Sequence, residues 1–449
     1  MDFTNLSRLQ FAFTSMFHIL WPVQVVGISI FLLILEAMWL RTGNKDYYDH
    51  ARFWGKLFLL SLAIGVVTGI PLEFQFGTNW AAFSRGGSGF FGNLLGFEAA
   101  LAFMLEASFL GIMLYGWQRV GRKTHLFATA MVAFGASLSA FWIMVANSWL
   151  QTPTGGEFRN GEFFIRNQFS AIFNPNMPWG VSHMWLACLQ ISCFFVGAVS
   201  AWYIRKGRHT PLFLRSFKMA AAAVVIITFL QIMVGDGSGR SIFFYQPAKL
   251  AGIESHWDTN KPGKGAEWHI VAWPDSARER NAWSVDLPYG LSLITTRSLT
   301  GTVRGLKEFS PEIRPPIVLP FYGFRIMVLV GGLSFLIALW TLWIWFRKGF
   351  NGENAGRHRL LFYAWMVAVP LNYIAMEAGW VVREVGRQPY LVYGALKTSD
   401  AASRLPGAVA GTSFAIILAA YLFLFVLYLV MIGIVLRKGP TVDGEGRQL

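Results

Sequence analysis

Charge is what this 449-residue sequence has least of. Asp, Glu, Lys and Arg make up 14% of it, against 54% hydrophobic residues, and the mean hydropathy is +0.45. Soluble domains carry about 25% charged residues, so a soluble globular class is excluded. The apolar residues come in long runs without alternation, which excludes a β-barrel and indicates helical spans. Cysteine is nearly absent: Cys188 and Cys193 fall in one apolar run, with no CxxC. That rules out a disulfide framework, and both are expected to be packing residues. Met1 and Asp2 open a stretch with no basic n-region and no small-residue cleavage site, so the first apolar run is expected to remain as a span. No internal repeat or low-complexity tract interrupts the chain.

What is present is a series of nine apolar segments, each near the ~20 residues a bilayer core requires. They cover roughly 14–40, 52–76, 90–117, 124–150, 178–204, 214–235, 321–346, 359–384 and 411–436. The expected fold is an all-α polytopic membrane protein of about nine transmembrane helices. Its net charge of +14 would suggest nucleic acid in a soluble chain. Here the basic residues gather in alternate short loops, at Arg119, Arg122 and Lys123, at Arg205, Lys206 and Arg208, at Arg347 and Lys348, and at Arg437, Lys438 and Arg447. The opposite loops are poorer. Positive charge stays inside, so the N-terminus is expected outside and the C-terminus inside, with a lipid membrane and no nucleic acid as partner. One loop is out of scale. Residues 236–320 form a polar external segment between helices six and seven, with Trp257, Trp268, Trp273 and Trp283 scattered through it. Loops this long are usually functional. The chain thus divides into helices one to six (1–235), the loop (236–320) and helices seven to nine (321–449).

Several polar side chains lie inside the runs. Glu377 sits in PLNYIAMEAGWVVREVGRQP, which ends in the polar turn of Arg387, Gln388 and Pro389. An ionised carboxylate in hydrocarbon must face protein, a cavity, a proton partner or a metal. An arginine beside it at the membrane edge suits a charged cofactor. His18, His183, Met327, Glu98 and Glu377 all fall in the expected outer half of the membrane, a shared depth that scattered packing residues would not have. Imidazole and thioether are both haem iron ligands, and a His/Met pair fills both axial positions. A lone imidazole or carboxylate leaves a position open for oxygen. Without CxxCH, a haem would be held non-covalently. Glu98 and Glu106 are about 12 Å and some 80° apart on an α-helix, so they could line one side of a proton path; an interhelical hydrogen bond to a residue such as Asn147 is the structural alternative. In the loop, Lys249 and Glu254 follow Phe243, Phe244 and Tyr245. A quinol site needs an aromatic wall, a donor and a base.

In order along nearly the whole chain, SRLQFAFTSMFHILWP, GFEAALAFMLEASFLGIMLYGW, ANSWLQTPTG, GDGSGR with QPAKLAGIE, GFRIMV, and IAMEAGW with GRQP closely resemble subunit I of the cytochrome bd-type quinol oxidases of bacteria. The resemblance implies a respiratory enzyme of the bacterial cytoplasmic membrane that oxidises quinol outside, reduces O2 to water and generates a proton motive force without pumping. It implies His183 and Met327 as axial ligands of a low-spin haem b with Arg325 beside it. His18 and Glu377 would serve two high-spin haems, one b and one d (or a third b), with Glu98 a ligand or close neighbour. Glu106 would carry protons, Lys249 and Glu254 would act on quinol, and Arg387 and Gln388 would support haem and loop. Subunit II and a small single-span subunit are the implied partners. Tyr390 stands where Trp is common after GRQP, and the loop is of the short kind. Two other readings remain open at this point. A proton- or cation-coupled transporter would show broken helices or inverted repeats. An electron-carrying cytochrome b would show paired His on facing spans.

Overall fold

The computed structural model describes residues 2–159, 161–350 and 357–440; Arg447 lies outside the described residues. Among the described residues, nine spans are long and apolar enough to cross a membrane. The first is made of two pieces, α1 (Phe3–Ile19) and α2 (Pro22–Thr42). Pro22 has no N–H to continue the ladder, so the helix restarts there, and the Trp21 N–H reaches back to the His18 carbonyl at 3.2 Å. The others are α3 (Lys45–Thr78), α4 (Ser88–Tyr115), α5 (Arg122–Gln151), α6 (Met177–Arg205), α7 (Thr210–Tyr245), α9 (Val318–Lys348), α10 (Arg359–Glu384) and α11 (Gly407–Lys438). A short helix, α8 (Pro247–Glu254), opens the loop. Three antiparallel hairpins connect elements: β1 (Gly156–Arg159) with β2 (Glu162–Ile165), β3 (Trp268–Asp275) with β4 (Arg280–Leu287), and β5 (Tyr390–Val392) with β6 (Leu396–Lys397).

Helix α6 is central and packs on α2, α5, α7 and α10. Its apolar window is 67% buried, against 11% for α11, so the last span lies mostly on the surface of this chain. In a bilayer, helices associate through close packing more than through the hydrophobic effect, so small residues mark the contacts. Gly197 of α6 shows this: an added Cβ would lie 2.2 Å from the Trp365 ring of α10. Around that contact Trp54, Phe58, Phe194, Phe217, Phe362 and Trp365 fill the core, and Cys188 and Cys193 pack there as free thiols.

Two helix boundaries depart from the hydropathy pattern. The first span begins at Phe3 instead of residue 14. Its early turns bury Ser7, Gln10 and Thr14, whose side chains pair with Asn79, Ser413 and Gln75 on neighbouring helices. Hydropathy undercounts a helix whose polar face is satisfied by other helices. Helix α7 runs to Tyr245, so the loop starts at 246 instead of 236. Asp236 and three glycines lower the hydropathy of GDGSGR without breaking the helix. Gly237 has a packing role there, since a Cβ would sit 2.1 Å from the Trp179 ring.

The loop has a core of its own, formed by Ala248, Ala251, Trp257, Ala272, Leu306, Phe309 and Ile317 with Phe321 of α9. The Tyr322 hydroxyl donates to the Ala272 carbonyl at 2.9 Å and ties the β3–β4 hairpin to that span. Of the four loop tryptophans, Trp257 is buried, Trp268 half-buried, and Trp273 and Trp283 are exposed.

Candidate functional site

Helix α10 ends in the sequence REVGRQP, and four elements close around that end. Arg383 Nε donates to Asn147 Oδ1 at 2.5 Å, and its Nη2 reaches Ser148 Oγ at 3.1 Å and Asn176 Oδ1 at 2.9 Å. Glu384 Oε1 accepts from Asn147 at 2.9 Å and its Oε2 from Arg387 Nη2 at 2.5 Å. Lys249 Nζ donates to Gln151 Oε1 at 2.9 Å and to the Arg383 carbonyl at 2.8 Å. A lysine at a helix C-terminus meets the partial negative charge of its carbonyls. Burial, reinforced by the Arg383 charge, nevertheless pulls the Lys249 pKa well below its usual value, with Glu384 opposing. Gly386 is required here, because a Cβ would come within 2.4 Å of the Val382 carbonyl and 3.1 Å of Lys249 Cε.

Arg325 on α9 is a second anchor. It donates to Glu254 Oε2 at 2.7 Å and to the His269 carbonyl at 2.5 and 3.1 Å. Its guanidinium lies 4.3 Å from the Phe321 ring centroid. Lys249 and Glu254 are therefore both buried, yet they hold different partners: Lys249 grips α10 and Glu254 grips α9. Of the expected aromatic wall, Phe243 packs against Leu250, Ala266, Leu291 and Val303, while Phe244 and Tyr245 are exposed.

Within the spans the pattern changes. Both carboxylate oxygens of Glu377 are buried and bonded to nothing, and so is Nδ1 of His183. The other His183 nitrogen has only a long 3.5 Å contact to Gln231. His18 Nδ1 is fixed by Thr68 Oγ1 at 3.0 Å, which leaves Nε2 as the ring nitrogen that could meet a ligand. Each of the expected iron ligands on a His or Met faces a glycine. Added Cβ atoms would lie 3.2 Å from His18 at Gly69, 3.4 Å from His183 at Gly235 and 3.1 Å from Met327 Sδ at Gly379. Gly379 follows Glu377 by two residues, about 200° around the helix, so Met327 and Glu377 address opposite faces of α10. By position along their helices, His18, His183, Met327, Glu98 and Glu377 all lie in the loop-side halves, and Glu106 in the far half.

Glu98 opens a stretch wound as a π-helix, Glu98–Phe103, so the 80° offset expected from α-helical winding does not apply. The acids instead share a stripe on α5. Glu98 accepts from Ser139 Oγ at 2.5 Å, and Glu106 packs on Gly135, one turn away, where a Cβ would meet it at 3.1 Å. Glu106 Oε1 is buried without a partner. Asn147, the expected hydrogen-bond alternative to a relay, is engaged instead by Arg383 and Glu384.

Arg387 belongs to both patterns. It is 2% exposed, one nitrogen pairs with Glu384, and Nε and Nη1 have no partner. Gln388 accepts from Thr398 at 2.9 Å. It also lines an open cleft of about 480 Å³ with Arg8, Trp257, Arg314, Ile317 and Pro389. An unpaired buried acid, an unpaired buried imidazole and an unpaired guanidinium edge are the donor set that iron and an anionic macrocycle would complete.

Sequence reasoning missed Arg383, Glu384, Gln151 and Asn176, which read as an ordinary span end. It also missed Glu36, buried and bonded to His125 at 2.9 Å and Thr129 at 2.8 Å. The rule that selects Glu377, a carboxylate inside an apolar run, selects Glu36 in LILEAMWL as well.

Comparison with known proteins follows the geometry. Residues 6–440 match the family model described as cytochrome bd terminal oxidase subunit I. The chain is 33% identical to cytochrome bd-II ubiquinol oxidase subunit 1 of Escherichia coli (strain K12), over 98% of this chain and 97% of that one. It is 33% identical to cytochrome bd ubiquinol oxidase subunit 1 of Bacillus subtilis (strain 168), over 96% and 92%. Among solved structures, bd oxidase from Geobacillus thermodenitrificans matches with a TM-score of 0.89 at 29% identity, covering 98% of this chain and 99% of that one.

Proposed function

The chain belongs to the cytochrome bd terminal oxidase subunit I family, the haem-containing, membrane-bound quinol oxidases of bacteria that pair it with a subunit II, and from that premise we propose which of its residues do what. The break at Pro22 would suit a transporter, but family membership sets that reading aside.

The loop lies on the outer face, with the N-terminus outside and the C-terminus inside. Quinol is oxidised there, with Gln388 and Trp257 at the cleft and Glu254 as the base, oriented by Arg325. Lys249 acts by holding α8 against the end of α10. Its two contacts can be made by the N–H bonds of a neutral amine, the form that its burial favours. His183 and Met327 hold a low-spin haem b, and Arg387 offers its unpaired edge to haem. His18, Glu377 and Glu98 serve two high-spin haems, one b and one d or b. When bound, the haems carry electrons from quinol and reduce oxygen to water. Glu106 and Glu98, packed from α4 against one stripe of α5, hold protons moving up from the inner face, while quinol protons leave outside. The reaction then builds a proton motive force without pumping. A small single-span subunit completes the complex.

The observation that carries this reading is Glu377, a carboxylate buried in a span with both oxygens unpaired. Left without a cation, metal or proton it would cost several kcal/mol. Reduced-minus-oxidised spectra of membranes test the ligands. His183→Ala should remove the low-spin haem band and spare the carbon-monoxide response. All bands at full strength would refute the assignment. Glu106→Gln should keep every band and slow oxygen consumption by about 100-fold.

A further inference from the structure

The loop hairpin carries three side chains that no step above uses. In the β3–β4 register His269 stands directly across from Asp286. Glu267 precedes His269 by two residues, which puts both side chains on one face of an extended chain. One ligand atom from each of the three lies within 4.8 Å of the others. His269 Nδ1 and Asp286 Oδ1 are 2.5 Å apart, and Ser284 Oγ donates to Asp286 Oδ2 at 2.7 Å, which orients that carboxylate. A histidine–aspartate ion pair explains two members of this group. The second carboxylate, from Glu267, gives the same point a third ligand atom, one more than that pair requires.

We propose that Glu267, His269 and Asp286 form a divalent metal site of the zinc class. One imidazole nitrogen and two carboxylates leave a fourth position for water, which suits Zn²⁺. Bonds of about 2.0–2.1 Å in a tetrahedron hold ligand atoms about 3.3 Å apart. The ion enters by opening the His269–Asp286 contact and drawing in Glu267, whose exposed side chain can swing. The carbonyl of His269 is gripped by Arg325, which also holds Glu254. Metal that shifts His269 therefore reaches the Arg325–Glu254 pair and slows quinol oxidation. That consequence rests on the quinol reading above; the metal site itself does not.

The test is Zn²⁺ uptake by the purified complex with all its subunits and haems, by equilibrium dialysis and X-ray absorption, in the native protein and in Glu267→Gln and His269→Gln. The native complex should bind one more ion than either variant, with a single imidazole in the zinc shell. Glu267→Gln alters an exposed side chain, should leave the haem bands unchanged, and should weaken that ion by at least about tenfold. Equal uptake by all three proteins overturns the site. In the oxidase assay Zn²⁺ should slow the native enzyme and spare Glu267→Gln; equal inhibition of both overturns the link to Glu254. Uptake is measured without turnover, so a complex that binds zinc but oxidises no quinol would sink the functional reading and leave the metal site standing.

Discussion

Helix α10 holds two buried polar groups that behave in opposite ways. At its end, Arg383 and Glu384 are bonded to Asn147, Ser148, Asn176 and Arg387, and Lys249 closes the cluster from the loop. In its middle, Glu377 has no partner for either oxygen. A buried polar group that serves only the fold finds protein partners, because leaving it unpaired costs about 1–3 kcal/mol, and more if it is charged. A group that stays unpaired marks where something other than protein completes the site. On the reading proposed above, the end of α10 is architecture and its middle is chemistry.

The comparison can be broken first at Glu377. Glu377→Ala should remove one high-spin haem signal and lower oxygen consumption by at least about 100-fold, while the protein still folds, since no hydrogen bond is lost. A fully active variant would make the middle of α10 architecture too. The opposite result is expected at Arg383. Arg383→Ala leaves Asn147, Ser148 and Asn176 short of a donor, while Glu384 keeps Arg387, and should cost about 1–3 kcal/mol, read as a lower thermal midpoint of the purified complex. Loss of a haem band with an unchanged midpoint would reverse the two roles.

A third test uses pH. The Lys249 pKa is depressed in the fold, so the unfolded chain binds more protons between that depressed value and the ordinary 10.5. Stability should therefore rise with pH across that window and level off above it. Lys249→Met should remove this rise, and an identical pH profile in both proteins would show that the amine is not desolvated. The smallest effect is expected far from either cluster. The Arg278–Asp275 pair sits on the exposed end of the loop hairpin, and Arg278→Ala should change stability by less than about 0.5 kcal/mol in the same melt.

The spans were legible because hydropathy is summed over some twenty neighbours, and the nine runs reappear as nine spans among the described residues. Their ends were less so. The polar face of Ser7, Gln10 and Thr14, and the glycines of GDGSGR, look like loop until the helices that receive them are known. His18, His183, Met327, Glu98 and Glu377 stand out because each is costly in oil. Arg383 and Glu384 do not, because charges at a span end ordinarily reach water. Glu254 was legible only as one of a pair with Lys249, and the two turn out to grip different helices.

By itself, then, the sequence determined that this chain lives in a membrane and which of its polar side chains lie within apolar runs, since both follow from residues adjacent in the chain. Only the tertiary structure decided which of those groups are satisfied by protein. Asn147 and Glu384 are 237 residues apart and meet at 2.9 Å, and Glu377, seven residues from Glu384 on the same helix, meets nothing. Pairing is a matter of which helices touch and at what rotation, and a local pattern of hydropathy contains neither.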